Sequence, residues 1–216
     1  MGKLLPKASW LQILTHIGAL LPLASLAWYY WQGLFFVDPI RQITTRTGKA
    51  ALILLVLSLA CTPIDTVFGF KKVLRVRGAL GLYAFMYASL HLLTFVGWDY
   101  GFDLDLLGPA ILDQRFVLAG CAAFLLLLPL AITSTRGCQR RLGRNWKRLH
   151  RLAYLASILA TLHFVWLVKD TREPMRYGVI VALLLILRIP PVRKAISYVR
   201  HQLNKSANLR SPQSGG

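Results

Sequence analysis

The sequence predicts an all-α polytopic membrane protein built as a six-helix transmembrane bundle. Of its 216 residues, 56% are hydrophobic and only 16% are charged, and the mean hydropathy is +0.51. Apolar runs at this density are typical of integral membrane proteins, because a helix needs about 20 predominantly apolar residues to cross the hydrocarbon core. The formal net charge is +18, and the basic residues responsible for it lie between the apolar runs. This placement favours a role of the positive charge in membrane topology and argues against nucleic-acid binding.

Six segments are long enough, or nearly so, to span a bilayer. The first resembles a signal peptide, but its end, Trp28-Tyr29-Tyr30-Trp31, is typical of an interfacial aromatic belt, and we predict a retained helix. Prolines end the second and sixth segments and bend the fourth. The predicted spans are residues 11–31, 50–67, 79–98, 116–133, 149–168 and 177–189.

The predicted spans form one domain over residues 1–203, and residues 204–216, rich in Ser, Asn and Gly, are predicted to be a disordered tail. Inspection of the sequence shows no internal repeat. It also shows no glycine-rich phosphate loop after a strand, so electrons from a reduced nicotinamide would have to come from another protein. The three cysteines have no metal-binding spacing and are predicted to be reduced or inert.

Basic and acidic residues divide between two sets of connections. The amino terminus, residues 68–78, residues 136–151 and the tail from Arg188 hold nineteen of the 26 Lys and Arg residues. Seven of the eight acids lie in the three other connections. The positive-inside rule therefore predicts that both termini are cytoplasmic. Residues 136–151 either determine topology alone or also attract a flavin phosphate, an acidic reductase or anionic lipid.

Two histidines inside the predicted spans are candidate haem ligands. An imidazole in hydrocarbon is costly without a partner, so an intramembrane histidine is a functional-site hypothesis by default. His91 and His163 each lie about 20 Å from the cytoplasmic end of their helices, so they are level and can face each other across one haem. Two imidazoles give six-coordinate iron suited to electron transfer. The alternative is a pair of histidines hydrogen-bonded to backbone or hydroxyl groups of neighbouring helices.

A third histidine, His150, lies at the cytoplasmic boundary, about 20 Å along the helix from His163 and too far to share an iron with it. Because a spacing of thirteen residues leaves an angular offset, His150 can address the same interior seam as His163 only from a loosened first turn or a locally rewound helix. A second haem there would have His150 as one ligand, and its other site would be empty or filled by another group, for which His16 is a candidate. Arg77 is a candidate partner of a haem propionate, because guanidinium cannot ligate iron. His150 and His16 can alternatively be interpreted as interfacial side chains.

Several stretches of the chain also carry a family resemblance. The most specific begins at Thr133-Ser134-Thr135, continues through Arg141-Leu142-Gly143-Arg144-Asn145-Trp146-Lys147-Arg148-Leu149-His150 and ends at His163. The others are His16-Ile17-Gly18, Leu20-Leu21-Pro22, Asp38-Pro39, Thr47-Gly48, Arg77-Gly78, Leu80-Gly81-Leu82 and Leu90-His91-Leu92. These stretches resemble the ferric-reductase-like transmembrane domain shared with NADPH oxidases, and more closely the MsrQ family, also called YedZ. The ferric-reductase-like domain usually has two histidines on each of its third and fifth helices, and this chain lacks one.

The resemblance implies an electron-transfer subunit of the bacterial inner membrane that has no catalytic residues of its own. It implies haem b, in one or two copies, bound by His91, His150 and His163, and it extends to FMN and quinone as further cofactors. Electrons would pass from the quinone pool or a cytosolic flavin reductase to a periplasmic, MsrP-like molybdopterin methionine sulfoxide reductase that repairs oxidised proteins. The sequence agrees with this division of labour, since it shows no acid–base or nucleophilic constellation.

Two other functions stay open. A transporter in which histidines relay protons is disfavoured, because no acidic residue lies in the middle of any span and no pair of interrupted helices is evident. A ferric reductase or oxidase that acts on external metal or oxygen is disfavoured by the absence of flavin and nicotinamide domains from this sequence.

Overall fold

The computed structural model of the chain describes residues 9–34 and 38–210, and within these residues it is helical without a strand. The helices are α1 (Trp10–Trp31), α2 (Pro39–Phe68), α3 (Arg77–Leu93), α4 (Leu104–Asp113), α5 (Arg115–Ile132), α6 (Arg136–Leu142), α7 (Arg144–Leu149), α8 (Leu152–Leu167), α9 (Arg172–Ile186) and α10 (Pro190–Arg210). A 3₁₀ helix, Lys71–Arg75, precedes α3, and a π-helical segment, Thr94–Asp99, extends it. The predicted all-α class is confirmed.

Each predicted span corresponds to a helix, although the bounds differ. The largest difference is in α2, which begins at Pro39 and not at residue 50. The Asp38 carboxylate accepts a hydrogen bond from the backbone N–H of Arg41, and proline at the first helical position fits this cap. Within the described residues α1, α2, α3 with its π-helical extension and α5 are long and apolar enough to cross a membrane, whereas α8 and α9 have only 16 and 15 residues.

Three short helices lie in segments that were predicted to be connections between spans, and they are α4, α6 and α7. The Thr135 hydroxyl caps α6 by accepting from the N–H of Cys138, and Gly143, with a φ of +50°, separates α6 from α7. The long α10 includes residues 204–210, which were expected to be disordered. No glycine or proline interrupts the chain between Pro191 and Pro212, so the helix can continue there although the Ser and Asn content predicted disorder. Residues 211–216 of the predicted tail lie outside the described residues.

Interhelical packing is concentrated in two helix pairs, α2 with α3 and α5 with α8. The buried faces carry small side chains: Ala84 on α3 and Ala156 and Ser157 on α8 are wholly buried. Small residues let two helix backbones approach closely, which is the usual basis of helix association in membranes. These two pairs form the frame that encloses the candidate site.

Helix α1 is joined to α3 through a break in its own hydrogen-bond ladder. Pro22 lies inside α1 and disturbs the ladder around it. There the hydroxyl of Tyr87 donates to the carbonyl oxygen of Ala19 at 2.7 Å and accepts from the N–H of Leu23 at 3.0 Å. Tyr87 is therefore inserted between two groups that would otherwise bond each other, and it is wholly buried.

Contacts between distant segments join residues that the charge pattern assigns to the same side. Lys49 and Glu173 form an ion pair of 2.8 Å on the acidic side. On the basic side, Arg200 of α10 donates to the carbonyl oxygens of Asp65 and Thr66 at the end of α2. A cation there also stabilises the negative end of the helix dipole. Both contacts agree with the predicted division of the chain into two sides, and which side faces the cytoplasm stays a prediction.

Candidate cofactor site

A cavity of about 660 Å³ lies between α2, α3, α5 and α8. Its size is in the range of pockets that hold organic cofactors. The apolar part of the wall includes Leu52, Leu55, Phe124, Leu127 and Phe164. Besides His91, His163 and Cys121, the polar and charged residues that line the cavity lie towards the acidic side, and they are Thr44, Thr45, Lys49, Asp99, Tyr100 and Gln114.

His91 of α3 and His163 of α8 face each other across this cavity. Their ring centroids are 5.9 Å apart and the ring planes cross at 82°. The two histidines that were predicted to be level therefore do lie close together, and a shared haem stays a prediction. Their binding of a metal is a separate question, which depends on the nitrogens they leave free.

Each ring is oriented by a backbone carbonyl of a neighbouring helix. Nδ1–H of His91 donates to the carbonyl oxygen of Thr44 at 2.8 Å, and Nδ1–H of His163 donates to that of Phe116 at 2.6 Å. A carbonyl oxygen can only accept, so Nδ1 carries the proton and Nε2 of the neutral ring keeps its lone pair. The two sequence interpretations are thus compatible: one nitrogen is hydrogen-bonded to backbone, and the other is free for a metal.

Two glycines leave space for the rings. A Cβ atom on Gly48 would lie 3.0 Å from Cε1 and from Nδ1 of His91. A Cβ atom on Gly120 would lie only 2.7 Å from Nδ1 of His163. Sequence reasoning missed both glycines, because such close approaches depend on how neighbouring helices are aligned.

A haem fits this donor set. With metal–imidazole bonds of about 2 Å on each side, two rings that share one metal have centroids roughly 6 Å apart, close to the observed spacing. Among the described residues no group of three or more His, Cys, Asp or Glu side chains is placed to hold an ion. A metal held by this pair would therefore need a cofactor that supplies its own equatorial ligands, as haem does.

His150 lies apart from this cavity, in the turn between α7 and α8. The helix is interrupted between Leu149 and Leu152, which agrees with the loosened turn, the first of the two alternatives. The His150 ring packs on Trp146 with centroids 4.0 Å apart. The Thr133 hydroxyl donates its one proton to the carbonyl oxygen of Pro129 at 2.6 Å, so it accepts from Nε2–H of His150 at 3.3 Å. In this arrangement Nδ1 is the nitrogen of His150 that keeps its lone pair.

The other two candidate residues occupy different places. Arg77 begins α3, and its guanidinium donates to the hydroxyl of Thr62 at 3.3 Å. Arg77 lies within electrostatic range of His150, so these two candidates share the basic end of the bundle. The exposed ring of His16 lies on α1 with Nδ1 2.9 Å from the hydroxyl of Tyr83, and it does not line the cavity.

Sequence reasoning also missed Arg188, which we counted only as the start of the basic tail. Its guanidinium donates to the hydroxyl of Tyr154 at 2.9 Å and to the carbonyl oxygen of Leu59 at 2.6 Å. Its Nε is buried without a partner. Arg188 thus ties the end of α9 to α2 and α8 at the basic end.

Apolar helices around two facing imidazoles define a class: transmembrane proteins that hold a cofactor between helices. The chain matches the family described as ferric reductase like transmembrane component over residues 47–161. It is 46% identical to the "Protein-methionine-sulfoxide reductase heme-binding subunit MsrQ" of Xanthomonas axonopodis pv. citri, over 82% of this chain and 84% of that protein. With the protein of the same name from Rhodospirillum rubrum it shares 42% identity, over 85% and 89% of the two chains. The chain therefore belongs to the MsrQ family. No solved structure matches it.

Proposed function

We propose that this chain is a haem-containing electron-transfer subunit that delivers electrons to a periplasmic methionine sulfoxide reductase of the MsrP type. The observation that carries the proposal is the facing of His91 and His163 at 5.9 Å in an apolar cavity, each with Nε2 free. The names of the relatives support it, since they describe a haem-binding subunit of a protein-methionine-sulfoxide reductase. The sulfoxide chemistry, on this proposal, takes place on the partner.

His91 and His163 would bind the iron of one haem b through Nε2. Haem supplies reversible one-electron chemistry at iron when it is bound. The carbonyl oxygens of Thr44 and Phe116 hold the two rings in place and raise the basicity of the ligating nitrogens. The apolar walls exclude water, and Lys49 is the lining cation that can pair with a haem propionate.

A second haem at the basic end is part of the proposal, with His150 as one ligand and Arg77 as a partner of a propionate. The placement of Arg77 at the start of α3 and of His150 just before α8, both at the basic end, supports it. His150 would have to bind through Nδ1, or release Thr133 so that Nε2 is free. His16 is a candidate for the opposite ligand only if its ring leaves Tyr83.

Electrons would enter at the basic end, from a cytosolic flavin reductase or from the quinone pool. The distribution of Lys and Arg supports cytoplasmic termini and a location in the bacterial inner membrane. The basic helices α6 and α7 lie on this side and suit an acidic reductase, an FMN phosphate or anionic lipid.

The test is a spectrum of the purified full-length protein. We expect a reducible b-type absorption spectrum, and a colourless protein would overturn the proposal. The reduced protein should be reoxidised by an MsrP-type reductase supplied with methionine sulfoxide. Reoxidation by a ferric chelate and not by that reductase would favour the ferric reductase function.

A further inference from the structure

The two histidines are anchored by the same arrangement at the same sequence separation. Thr44 accepts from His91, and Phe116 accepts from His163; in both cases 47 residues separate acceptor and donor. In both cases the glycine that meets the ring lies four residues after the acceptor. The whole arrangement therefore recurs along the chain with one constant offset.

With that offset, two segments of the sequence also match. The eight residues from Gly48 (GKAALILL) and from Gly120 (GCAAFLLL) are identical at five positions. The eight residues that end at His91 (AFMYASLH) and at His163 (ASILATLH) are identical at four positions. The sequence expectation of no internal repeat is therefore wrong. The repeat escaped inspection because its matching parts are short and lie on separate helices.

The matching segments occupy equivalent places in the fold. The first segment of each pair lies on α2 or α5 and the second on α3 or α8, and these are the helix pairs with the most extensive packing. The first alanines of the histidine-containing segments, Ala84 and Ala156, are both wholly buried. The chain thus holds two copies of one helix-pair module, and each copy presents one histidine to the shared cavity.

A glycine has a specific role at this point of a helix. In an α-helix the N–H of residue i bonds the carbonyl of residue i−4, and Cβ of residue i tilts toward the N-terminus over that carbonyl. Without a Cβ, the carbonyl of Thr44 or Phe116 has a second lone pair open to a side chain from the next helix. The absent Cβ thus exposes an acceptor for the histidine ring.

We propose that Gly48 and Gly120 are positioning residues of the cofactor site. Each lets the neighbouring imidazole lie against a helix backbone, so that Nδ1–H reaches the carbonyl four residues earlier and Nε2 faces the cavity. The part of this inference that concerns haem rests on the proposed function, whereas the ring placement does not. The steric conflict with an added Cβ is more severe at Gly120 than at Gly48, because the Cβ would lie closer to the histidine ring there.

The first experiment is independent of haem and compares thermal unfolding of four full-length proteins in detergent: the parent, Gly120→Ala, His163→Ala and the double variant. We expect Gly120→Ala to lower the midpoint temperature of unfolding in the parent. In the His163→Ala background it should leave that temperature unchanged or raise it, because the ring that the new Cβ would contact is absent. Equal loss in both backgrounds would overturn the inference. If Gly120→Ala fails to fold, recovery of folding in the double variant supports the inference, and no recovery overturns it.

The second experiment measures haem content and reduction potential in Gly48→Ala, with Gly178→Ala as the matched control. A Cβ on Gly178 would be in ordinary contact, 3.6 Å from Cγ2 of Thr161. We expect Gly48→Ala to lose haem or to show a higher reduction potential, because a weaker bond from Nδ1–H makes the ligand less basic. The control should match the parent. Parental haem content and potential in Gly48→Ala would overturn the inference, whereas a parent without haem would refute only the proposed function.

Discussion

His91 and His163 face each other at 5.9 Å with nearly perpendicular ring planes, and each is tied to a different neighbouring helix. His91 bonds the backbone of α2, and His163 bonds the backbone of α5. The site is therefore defined by four helices, with a separate support for each ring. Loss of one imidazole leaves the other ring with its own anchor.

Replacing either His91 or His163 by Ala should abolish the low-spin signal of the haem between them. Six-coordinate iron of this kind needs both imidazoles, so one remaining ligand is not enough. The measurement is the reduced-minus-oxidised absorption spectrum of each purified variant. His201→Ala is the control, since His201 lies on α10, which does not line the cavity, and is not a proposed haem ligand. Normal spectra in both cavity variants would contradict the assignment.

Replacing His150 by Ala should remove part of the haem absorbance, or slow reduction by the donor, while the His91–His163 signal persists. His150 lies outside the shared cavity, at the basic end near Arg77. The checks are haem content per protein and the rate of donor-driven reduction. If both are unchanged, His150 is an interfacial side chain and the chain holds a single haem.

The orientation in the membrane is tested with reporter fusions. A reporter that is active only in the periplasm should be active when fused after Asp105, because that connection belongs to the acidic set. The same reporter should be silent when fused after Arg141, which lies in the most basic connection. The opposite pattern would reverse the orientation and the direction of electron flow.

Replacing Lys49 by Met should lower haem retention several-fold without moving the absorption maxima, because Lys49 lines the cavity and does not bind iron. Glu173→Gln is the comparison that removes the ion pair but keeps the cation. The pair is partly exposed, with side-chain exposures of 38% and 46%. Its loss should therefore cost no more than about 1 kcal/mol of unfolding free energy. Equal haem retention in both variants would argue against a role of Lys49 in binding.

Replacing Tyr87 by Phe should destabilise the attachment of α1. The hydroxyl of Tyr87 serves one acceptor and one donor of the α1 backbone in a buried position. Leaving such a group unsatisfied costs about 1–3 kcal/mol, which should appear as a lower thermal midpoint in detergent. Tyr83→Phe should cost less, since its hydroxyl meets only the exposed ring of His16. Equal midpoints for the parent and Tyr87→Phe would refute this role.

The sequence predicted the facing histidines because helix rise is constant, so depth can be counted from the charged boundary of each span. It predicted the six main helices because hydropathy reports the contact with lipid. It did not predict α4, α6 or α7, whose short segments have a weak signal of their own. Their caps, such as Thr135 at α6, are local features that count only when a helix is already expected.

The orientation of the rings could not be predicted from residue types. The acceptors of His91 and His163 are backbone carbonyls, and every residue has one. Which carbonyl is exposed depends on the register of two packed helices and on a missing Cβ at Gly48 or Gly120. For the same reason, residue types alone do not reveal that the Thr133 hydroxyl accepts from Nε2–H of His150.

The two helix-pair modules line one cavity, much as two copies of a subunit can line a shared site, and each supplies one histidine. A single module offers one imidazole, and only a pair can offer two to one iron. Because both modules lie in one chain, the sequence of each can change independently of the other. His150 of the second module corresponds to Gly78 of the first at the offset that relates His163 to His91. The missing fourth histidine is therefore a difference between the two modules at the basic end, whereas His91 and His163 occupy equivalent positions.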